Sequence, residues 1–332
     1  MSVIGTDRRG FLIAAAALFA TQRGQAQQSQ VRRIGFLSTG GSTEGPRARK
    51  VILDSLARLG YKEGDNLIIE WRFAENKPGR LRDLAEELVR SKVELIMTTF
   101  NPATIAARNA TRAIPIVMLV GSYPVENGFI AKHGRPGGNI TGLDTWSASA
   151  LTEKWYQVLK FAIPDAKVVV NLWGETSTGH GQALGRDFHR KLAQRVGLSL
   201  IGVELTPIRG LAEALDQVAA LRPDLLAIEG SAVTNPHWPE IAAFALKQKL
   251  PSISVNVAYA QLGGLLSYGP DILDMLERTG SYVDRILRGA NPAEMPVEQP
   301  TKFELVLNSK TAKAIGVTFQ PSFLSRVDRI IE

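Results

Sequence analysis

Short apolar runs alternate along the chain with longer segments whose apolar residues recur at helical spacing. The runs at 33–37, 67–71, 93–97 and 116–119 have the length and composition of buried strands. The segment 78–90 places apolar residues three and four positions apart, which makes it the clearest amphipathic helix in the sequence. Strands that alternate with helices in this way predict a parallel sheet covered by helices on both faces.

The alternation begins again after a break. The stretch 134–142 is too glycine-rich for regular structure, and we interpret it as a crossover between two lobes. A second series of predicted strands follows at 167–172, 200–203, 225–228 and 252–255. The sequence therefore predicts an α/β fold with two doubly wound parallel-sheet lobes that are joined by a multi-strand hinge.

The chain is predicted to cross between the lobes more than once. The run 263–267 and the long helix 272–287 have the pattern of a return to the first lobe. Three prolines after residue 290 mark a third, extended connection. These crossings predict a first lobe of residues 31–146 with 258–300, and a second lobe of residues 147–257 with 301–332.

Residues 1–26 have the pattern of an export signal. Arg8 and Arg9 precede an apolar run at 11–20, which is too short to span a bilayer. The segment resembles a bacterial twin-arginine signal, with Asp7 where that pattern usually has Ser or Thr, and an ordinary secretory signal is the alternative. We therefore expect a soluble protein of the periplasm. The absence of cysteine excludes a lipid anchor on an N-terminal cysteine.

The composition excludes several classes of protein. The chain has 332 residues, of which 45% are hydrophobic, so it is globular and long enough for two domains. It has no cysteine and 4 histidines without a metal-binding spacing, so we predict no disulfide, metal site or thiol nucleophile. The net charge is +7, but basic and acidic residues are interspersed, so we expect no nucleic-acid partner.

No local motif argues for catalysis or for a bound cofactor. The loop 40–45 fails the dinucleotide fingerprint at its third glycine, and Pro46 and Arg47 replace the Lys and Ser/Thr of a phosphate-binding loop. The Gly-x-Ser-x-Gly motif of a nucleophile elbow is absent. We therefore predict a binding protein, not an enzyme, with no catalytic residues and no cofactor.

Polar and aromatic side chains follow the predicted strands. Because ligands bind outside the carboxyl ends of parallel strands, we expect these side chains to line a cleft between the lobes. Hydroxyl and amide groups would orient a small solute, and an aromatic ring would cover its apolar part. The candidate ligand-binding residues are Ser38, Thr39, Thr98, Thr99, Asn101, Tyr123, Trp146, Trp173, Glu229, Ser231 and Asn256.

Several of these candidates also have a structural alternative. Thr98 and Thr99 precede a helix that we expect to open at Asn101, where unpaired N–H groups and the helix dipole favour an anion. Asn101 is explained most simply by a role as the N-cap of that helix. The two tryptophans are explained equally by core packing, and Glu229 by a solvated position in a loop.

Several stretches resemble the substrate-binding proteins of ABC transporters, in the branch related to tryptophan- and tyrosine-binding proteins. The most specific of them is the Pro-Gly-Gly-Asn-Ile-Thr-Gly run at 136–142. The others lie at 59–66, 113–117, 263–269 and 303–308, with a continuation to residue 332. The resemblance implies a type I periplasmic-binding fold, a small-molecule ligand in the interlobe cleft, and delivery to an inner-membrane permease with a separate ATPase.

Two departures from the family pattern bear on the ligand. Many members carry Asp-Pro-Val after the fourth strand, whereas this chain has Tyr123-Pro124-Val125. The segment after Asn256 also lacks the Thr-Asp-Asn pattern of aromatic amino-acid binders. An acidic group that could meet an amino group of the ligand is therefore absent. We predict a monomeric importer component that captures a small organic anion, aromatic or amino-acid-like molecules included. A ligand-sensing periplasmic protein that feeds a signalling partner is the alternative.

Overall fold

The computed structural model of the chain describes residues 31–41, 46–145, 149–174, 180–206, 210–231 and 233–332. The predicted export signal and Trp146 lie outside these described residues. Within them, helices and strands alternate almost throughout and build two sheets. Each sheet with its covering helices forms one lobe, so the predicted two-lobed α/β fold is confirmed.

The first lobe is built on a five-stranded parallel sheet. Its strands are β1 (Arg32–Ser38), β2 (Leu67–Phe73), β3 (Ile96–Thr99), β4 (Ile116–Gly121) and β5 (Ile140–Asp144). They lie side by side in the order β2-β1-β3-β4-β5. Ile34 and Leu37 of β1 are both fully buried on opposite faces, because helices cover this sheet on both sides.

The second lobe is built on a seven-stranded sheet. Its strands are β6 (Val168–Gly174), β7 (Ser199–Leu205), β8 (Leu225–Ile228), β9 (Ser252–Ser254), β10 (Leu266–Pro270), β11 (Phe303–Asn308) and β12 (Arg329–Ile331). Their order is β12-β11-β10-β9-β8-β6-β7, and only the β10–β11 pair is antiparallel among the pairings described.

The helices bury one apolar face each. They are α1 (Pro46–Arg58), α2 (Leu81–Arg90), α3 (Phe100–Ala110), α4 (Ser149–Ala162), α5 (His180–Arg195), α6 (Leu211–Leu221), α7 (Trp238–Lys247), α8 (Val257–Gln261), α9 (Ile272–Leu287), α10 (Ser309–Ile315) and α11 (Pro321–Leu324). Helix α2 shows the pattern best, because Leu81, Leu84, Ala85 and Leu88 form one buried stripe. Helices α1 to α3 and α9 pack on the first lobe, and the others belong to the second.

The glycine-rich stretch is not the crossover that the sequence predicts. It ends in β5, which pairs with β4 at the edge of the first sheet, and the chain leaves this lobe only after Asp144. Gly142 has a φ of +125°, and a Cβ there would lie 2.2 Å from the carbonyl oxygen of Met118. Glycine is therefore required for the close approach of β5 to β4 and does not mark a linker.

The predicted lobe boundary at residue 258 lies too early. Strand β10 pairs in parallel with β9 in the second sheet, so the chain returns to the first lobe only at α9. Asp271 caps α9, because its carboxylate accepts hydrogen bonds from two backbone N–H groups of the first turn. In α9, Gly280 lies against Ser55 of α1, where a Cβ would be 2.9 Å from the backbone oxygen.

The third connection runs along the edge of the first sheet before it enters the second lobe. The Glu298 N–H donates to the Gly142 carbonyl at 3.0 Å, and the Asp144 N–H donates to the Glu298 carbonyl at 2.9 Å. The chain then continues into β11. The connections after Asp144, after Pro270 and after Glu298 together form the hinge between the lobes.

Candidate ligand-binding cleft

A cavity of about 130 Å³ lies between the carboxyl ends of the two sheets. From the first lobe it is lined by Phe100, Val120, Gly121, Ser122 and Thr145. From the second lobe and the hinge it is lined by Glu229, Gly230, Asn235, Trp238, Val255, Asn256 and Pro270, and Ile272 at the start of α9 completes the wall. The cavity has about ten times the space that one buried water needs. It shares four lining residues with a larger groove of about 850 Å³ beside the hinge.

Glu229 directly follows β8 and provides a carboxylate in the cavity wall. Within the described part of the chain, this carboxylate forms no hydrogen bond to a side chain or to the backbone. Burial raises the pKa of Glu229 to about 7, and the positive charge of Arg186 opposes this rise. A carboxyl group in such a position can gain or lose its proton near neutral pH and can accept hydrogen bonds from a ligand.

Asn256 is the second predicted residue in the cavity wall. Its Oδ1 accepts a hydrogen bond from the Ala258 N–H at 2.9 Å, so Asn256 also caps α8. Strands β8 and β9 are neighbours in the second sheet, and Glu229 and Asn256 follow their carboxyl ends. These two side chains therefore lie in one wall of the cavity, as expected for residues that follow neighbouring parallel strands.

The threonines predicted to bind an anion instead form hydrogen bonds within the first lobe. Thr98 is fully buried, and its hydroxyl bonds to that of Thr104 at 2.8 Å. Thr99 donates to the hydroxyl of Ser38 at 3.0 Å, and Thr39 donates to the Thr99 carbonyl at 3.4 Å. These hydroxyls hold the loops after β1 and β3 together. The cavity lining contains none of these five side chains.

Asn101 links two loops of the cavity wall. Helix α3 begins at Phe100, so Asn101 lies inside the first turn and not at the predicted N-cap. Its Nδ2 donates to the Ser122 carbonyl at 2.9 Å, and the Ser122 N–H donates to its Oδ1 at 3.0 Å. Phe100 has a φ of +61°, which is rare for a bulky residue, and this linkage helps to hold it against the cavity.

Tyr123 reaches across the cleft to the second lobe. Its hydroxyl lies 3.3 Å from Nε2 of His189, and its ring packs against the core of that lobe. The described lining of the cavity does not include it. Tyr123 therefore contributes to the contact between the lobes and not to the wall of this cavity.

Trp173 and Ser231 have structural contacts within the second lobe. The ring of Trp173 covers Gly202 of β7, where a Cβ would lie 2.3 Å from the ring, and Arg186 stacks over it at 5.3 Å. The Ser231 hydroxyl accepts from the Thr234 N–H at 3.0 Å within a tight turn. Trp173 is therefore a packing residue of the second lobe.

Several residues of the wall are not among the candidates that the sequence suggests. Thr145 follows β5, which the glycine-rich sequence concealed. Asn235 and Trp238 lie at a short 3-10 turn beyond Ser231, which folds back toward the cleft. A tryptophan next to two prolines shortly after a strand end is a signal that could have identified this turn.

Two further features bear on the class of site. Among the described residues, no group of three or more His, Asp or Glu side chains is placed to hold a metal ion. In the same part of the chain, no helix has both the length and the apolar character that are needed to cross a bilayer.

Two α/β lobes whose strand ends face each other across a cavity define a two-lobed binding protein of the type I periplasmic class. The family model described as ABC transporter substrate binding protein matches residues 44–331. The chain belongs to this family.

Individual relatives and solved structures agree with this assignment. A tyrosine-binding protein of Clostridioides difficile (strain R20291) is 24% identical over 271 residues, which are 82% of this chain and 77% of the relative. The structure of an ABC domain in complex with L-Trp from Streptococcus pneumonia is 23% identical and has a TM-score of 0.82, covering 90% of this chain and 99% of its own. A leucine-binding protein, LivK, of Thermotoga maritima has a TM-score of 0.58 at 15% identity, covering 86% and 87%.

Proposed function

We propose that this chain is the periplasmic solute-binding component of an ABC importer and captures an amino-acid-like solute with an apolar or aromatic body in the interlobe cleft. The observation that carries this proposal is the cavity between the two lobes, with the Glu229 carboxylate in its wall. Its partners would be an inner-membrane permease and a separate ATPase, and the chain would act as a monomer.

The Glu229 carboxylate favours one of the ligand classes that the sequence leaves open. Above a pH of about 7, where Glu229 is ionised, a simple organic anion would meet a like charge in the cavity wall, which is unfavourable at low dielectric constant. An amino-acid-like solute would place its ammonium group against this carboxylate and form a charge-assisted hydrogen bond. Its own carboxylate would then lie near the N-terminal turn of α3, where Phe100 lines the cavity and the helix dipole favours negative charge.

The rest of the wall suits an apolar or aromatic body. Phe100, Val120, Trp238, Val255 and Ile272 contribute apolar surface, and Ser122, Asn235 and Asn256 contribute polar groups. Such a mixture fixes the orientation of a small molecule while burying its apolar part. The names of a relative and of a similar structure, a tyrosine-binding protein and a complex with L-Trp, make these two amino acids the first ligands to test.

Isothermal titration calorimetry on L-tyrosine and L-tryptophan tests the proposal. We expect both the ammonium and the carboxylate to be needed, because each has a complementary group in the cleft. The matched controls are the deaminated acids 3-(4-hydroxyphenyl)propionate and indole-3-propionate, and the amines tyramine and tryptamine. We expect each of these to bind at least about tenfold more weakly, since one charge-assisted hydrogen bond is worth about 1.5–3 kcal/mol. Tighter binding of the deaminated acids would overturn the amino-acid-like assignment.

Export through the predicted signal has its own test. Replacing Arg8 and Arg9 together with Lys is expected to retain the precursor in the cytoplasm, because the twin-arginine pair is read as a motif and not as a charge. Cell fractionation and immunoblotting measure the periplasmic share. Arg23→Lys is the matched control, since it changes the same residue type outside the pair. An unchanged periplasmic yield of the double variant would leave the ordinary secretory route.

A further inference from the structure

Three side chains form a hydrogen-bonded row across the two lobes. Tyr123 belongs to the loop after β4 in the first lobe, and its hydroxyl lies 3.3 Å from Nε2 of His189 in α5 of the second lobe. On the other side of the same ring, Nδ1 lies 2.9 Å from the hydroxyl of Tyr156 in α4. The row therefore links the lobes at a place outside the cavity lining, and the cavity's described walls do not use it.

The backbone of the first lobe aims Tyr123 at its partner. Tyr123 has a φ of +50°, a left-handed conformation that is rare for a bulky residue. The Asn127 side chain donates to the Tyr123 carbonyl at 2.9 Å and to the Ser122 carbonyl at 3.0 Å. Asn101 holds Ser122 through two further hydrogen bonds. An unfavourable backbone conformation that is fixed by so many contacts is typical of a functional position.

The second lobe presents a fixed hydrogen-bonding partner for Tyr123. His189 is only 3% exposed, and the Tyr156 hydroxyl holds its other ring nitrogen. Burial lowers the pKa of His189 to about 4, so its ring is neutral at physiological pH. A neutral imidazole donates from one nitrogen and accepts at the other, so two hydroxyl groups complete its hydrogen bonding. Separating the lobes would leave this ring without one of its partners.

We propose that Tyr123 is a closure residue, which sets the affinity of the cleft by binding His189 in the opposite lobe and not by touching the ligand. This inference rests on the proposed function, because it assumes that the lobes close around a solute. Ligand affinity would then depend on how easily the lobes close as well as on the cavity wall.

Measuring lobe closure directly separates this proposal from the proposed function. The chain has no cysteine, so spin labels can be attached to single cysteines placed at exposed Lys77 in the first lobe and exposed Lys191 in the second. Pulsed electron paramagnetic resonance then gives the distribution of interlobe distances with and without L-tyrosine or L-tryptophan. Tyr123→Phe removes only the hydroxyl, and Tyr61→Phe is the control, since its hydroxyl bonds to Asp284 within the first lobe.

We expect Tyr123→Phe to shift the distance distribution without added solute toward the open state. The dissociation constant of a bound amino acid should rise about 3- to 10-fold, the range of one hydrogen bond. Tyr61→Phe should change neither quantity. If Tyr123→Phe shows the interlobe distances of the wild type and binds the amino acid with unchanged affinity, then Tyr123 is not a closure residue. If none of the amino acids binds the wild-type protein, the proposed ligand is contradicted. The closure role of Tyr123 still stands in that case if Tyr123→Phe shifts the distances measured without solute toward the open state.

Discussion

Replacing Glu229 with Gln is expected to weaken the binding of L-tyrosine or L-tryptophan by about 10- to 100-fold at pH 8. The carboxylate lines the cavity and is not paired within the described residues, so a ligand ammonium group is its expected partner. Gln keeps the shape of the side chain but removes the charge, and a hydrogen bond to a charged group is worth about 1.5–3 kcal/mol. Calorimetry on the two proteins at pH 8 measures the difference.

The same substitution should change how affinity depends on pH. Burial raises the pKa of Glu229 from its ordinary value of 4.5 to about 7 in the folded protein. The carboxylate therefore forms only as the pH rises through about 7, and wild-type affinity for an ammonium ligand should rise with it. The affinity of Glu229→Gln should stay nearly constant between about pH 5.5 and 8.5, because Gln has no carboxyl group that titrates. This window covers roughly the range over which one carboxyl group with a pKa of about 7 changes its charge.

Stability should move in the opposite direction. Because the folded protein holds the Glu229 proton more tightly than the unfolded chain does, wild-type stability falls as the pH rises from 4.5 through about 7. Glu229→Gln lacks this loss, so it should be more stable than the wild type above pH 7 and similar to it below pH 4.5. Urea unfolding at both ends of this window checks the sign.

Glu240→Gln is the matched control for both measurements. Glu240 lies in α7 of the same lobe and is exposed, so its charge has little influence in the cavity. It should bind and unfold like the wild type. Equal ligand affinity of Glu229→Gln and wild type at pH 8 would show that Glu229 does not meet the ligand's ammonium group.

Parts of the cleft were predictable from which residues follow the strands. Glu229 and Asn256 lie in one wall because they follow neighbouring parallel strands. Thr98, at the end of β3, instead points into its own lobe and bonds to Thr104. A strand end fixes where a residue lies but not the direction of its side chain, and the sequence carries no direct signal for that direction.

The lobe crossings were less predictable for a related reason. Gly142 looks like part of a linker, but it allows β5 to approach Met118 of β4. Strand β9 is only three residues long, so the pairing of β10 with it gives no extended apolar pattern that marks the second lobe. Alternation of strands and helices predicts the number of layers well, whereas the order of strands depends on close approaches between distant residues.

Replacing Gly269 with Ala is expected to cost about 3 kcal/mol or more in the free energy of unfolding. Gly269 lies in β10, where a Cβ would stand 1.7 Å from the carbonyl oxygen of Val255 and 2.7 Å from its carbonyl carbon. Both atoms belong to the backbone, so no side chain can rotate away. The segment after β9 must therefore move away from β10, which disturbs the pairing of the two strands. Overpacking costs about 1–3 kcal/mol even where side chains can adjust. Urea unfolding measures the loss.

The same substitution should reach the cleft, because Val255 and Asn256 line the cavity and Pro270 follows Gly269 directly in the hinge. Moving the Val255 carbonyl by even an ångström changes the wall on which Glu229 and Asn256 stand, so ligand affinity should fall together with stability. Gly138→Ala is the matched control, since a Cβ at Gly138 has no atom within 4 Å. It should change the unfolding free energy by less than about 0.5 kcal/mol, as most exposed substitutions do. If Gly269→Ala were as stable as Gly138→Ala, then β10 would not run as close to Val255 as the structure places it, and the hinge side of the cavity would have a different shape.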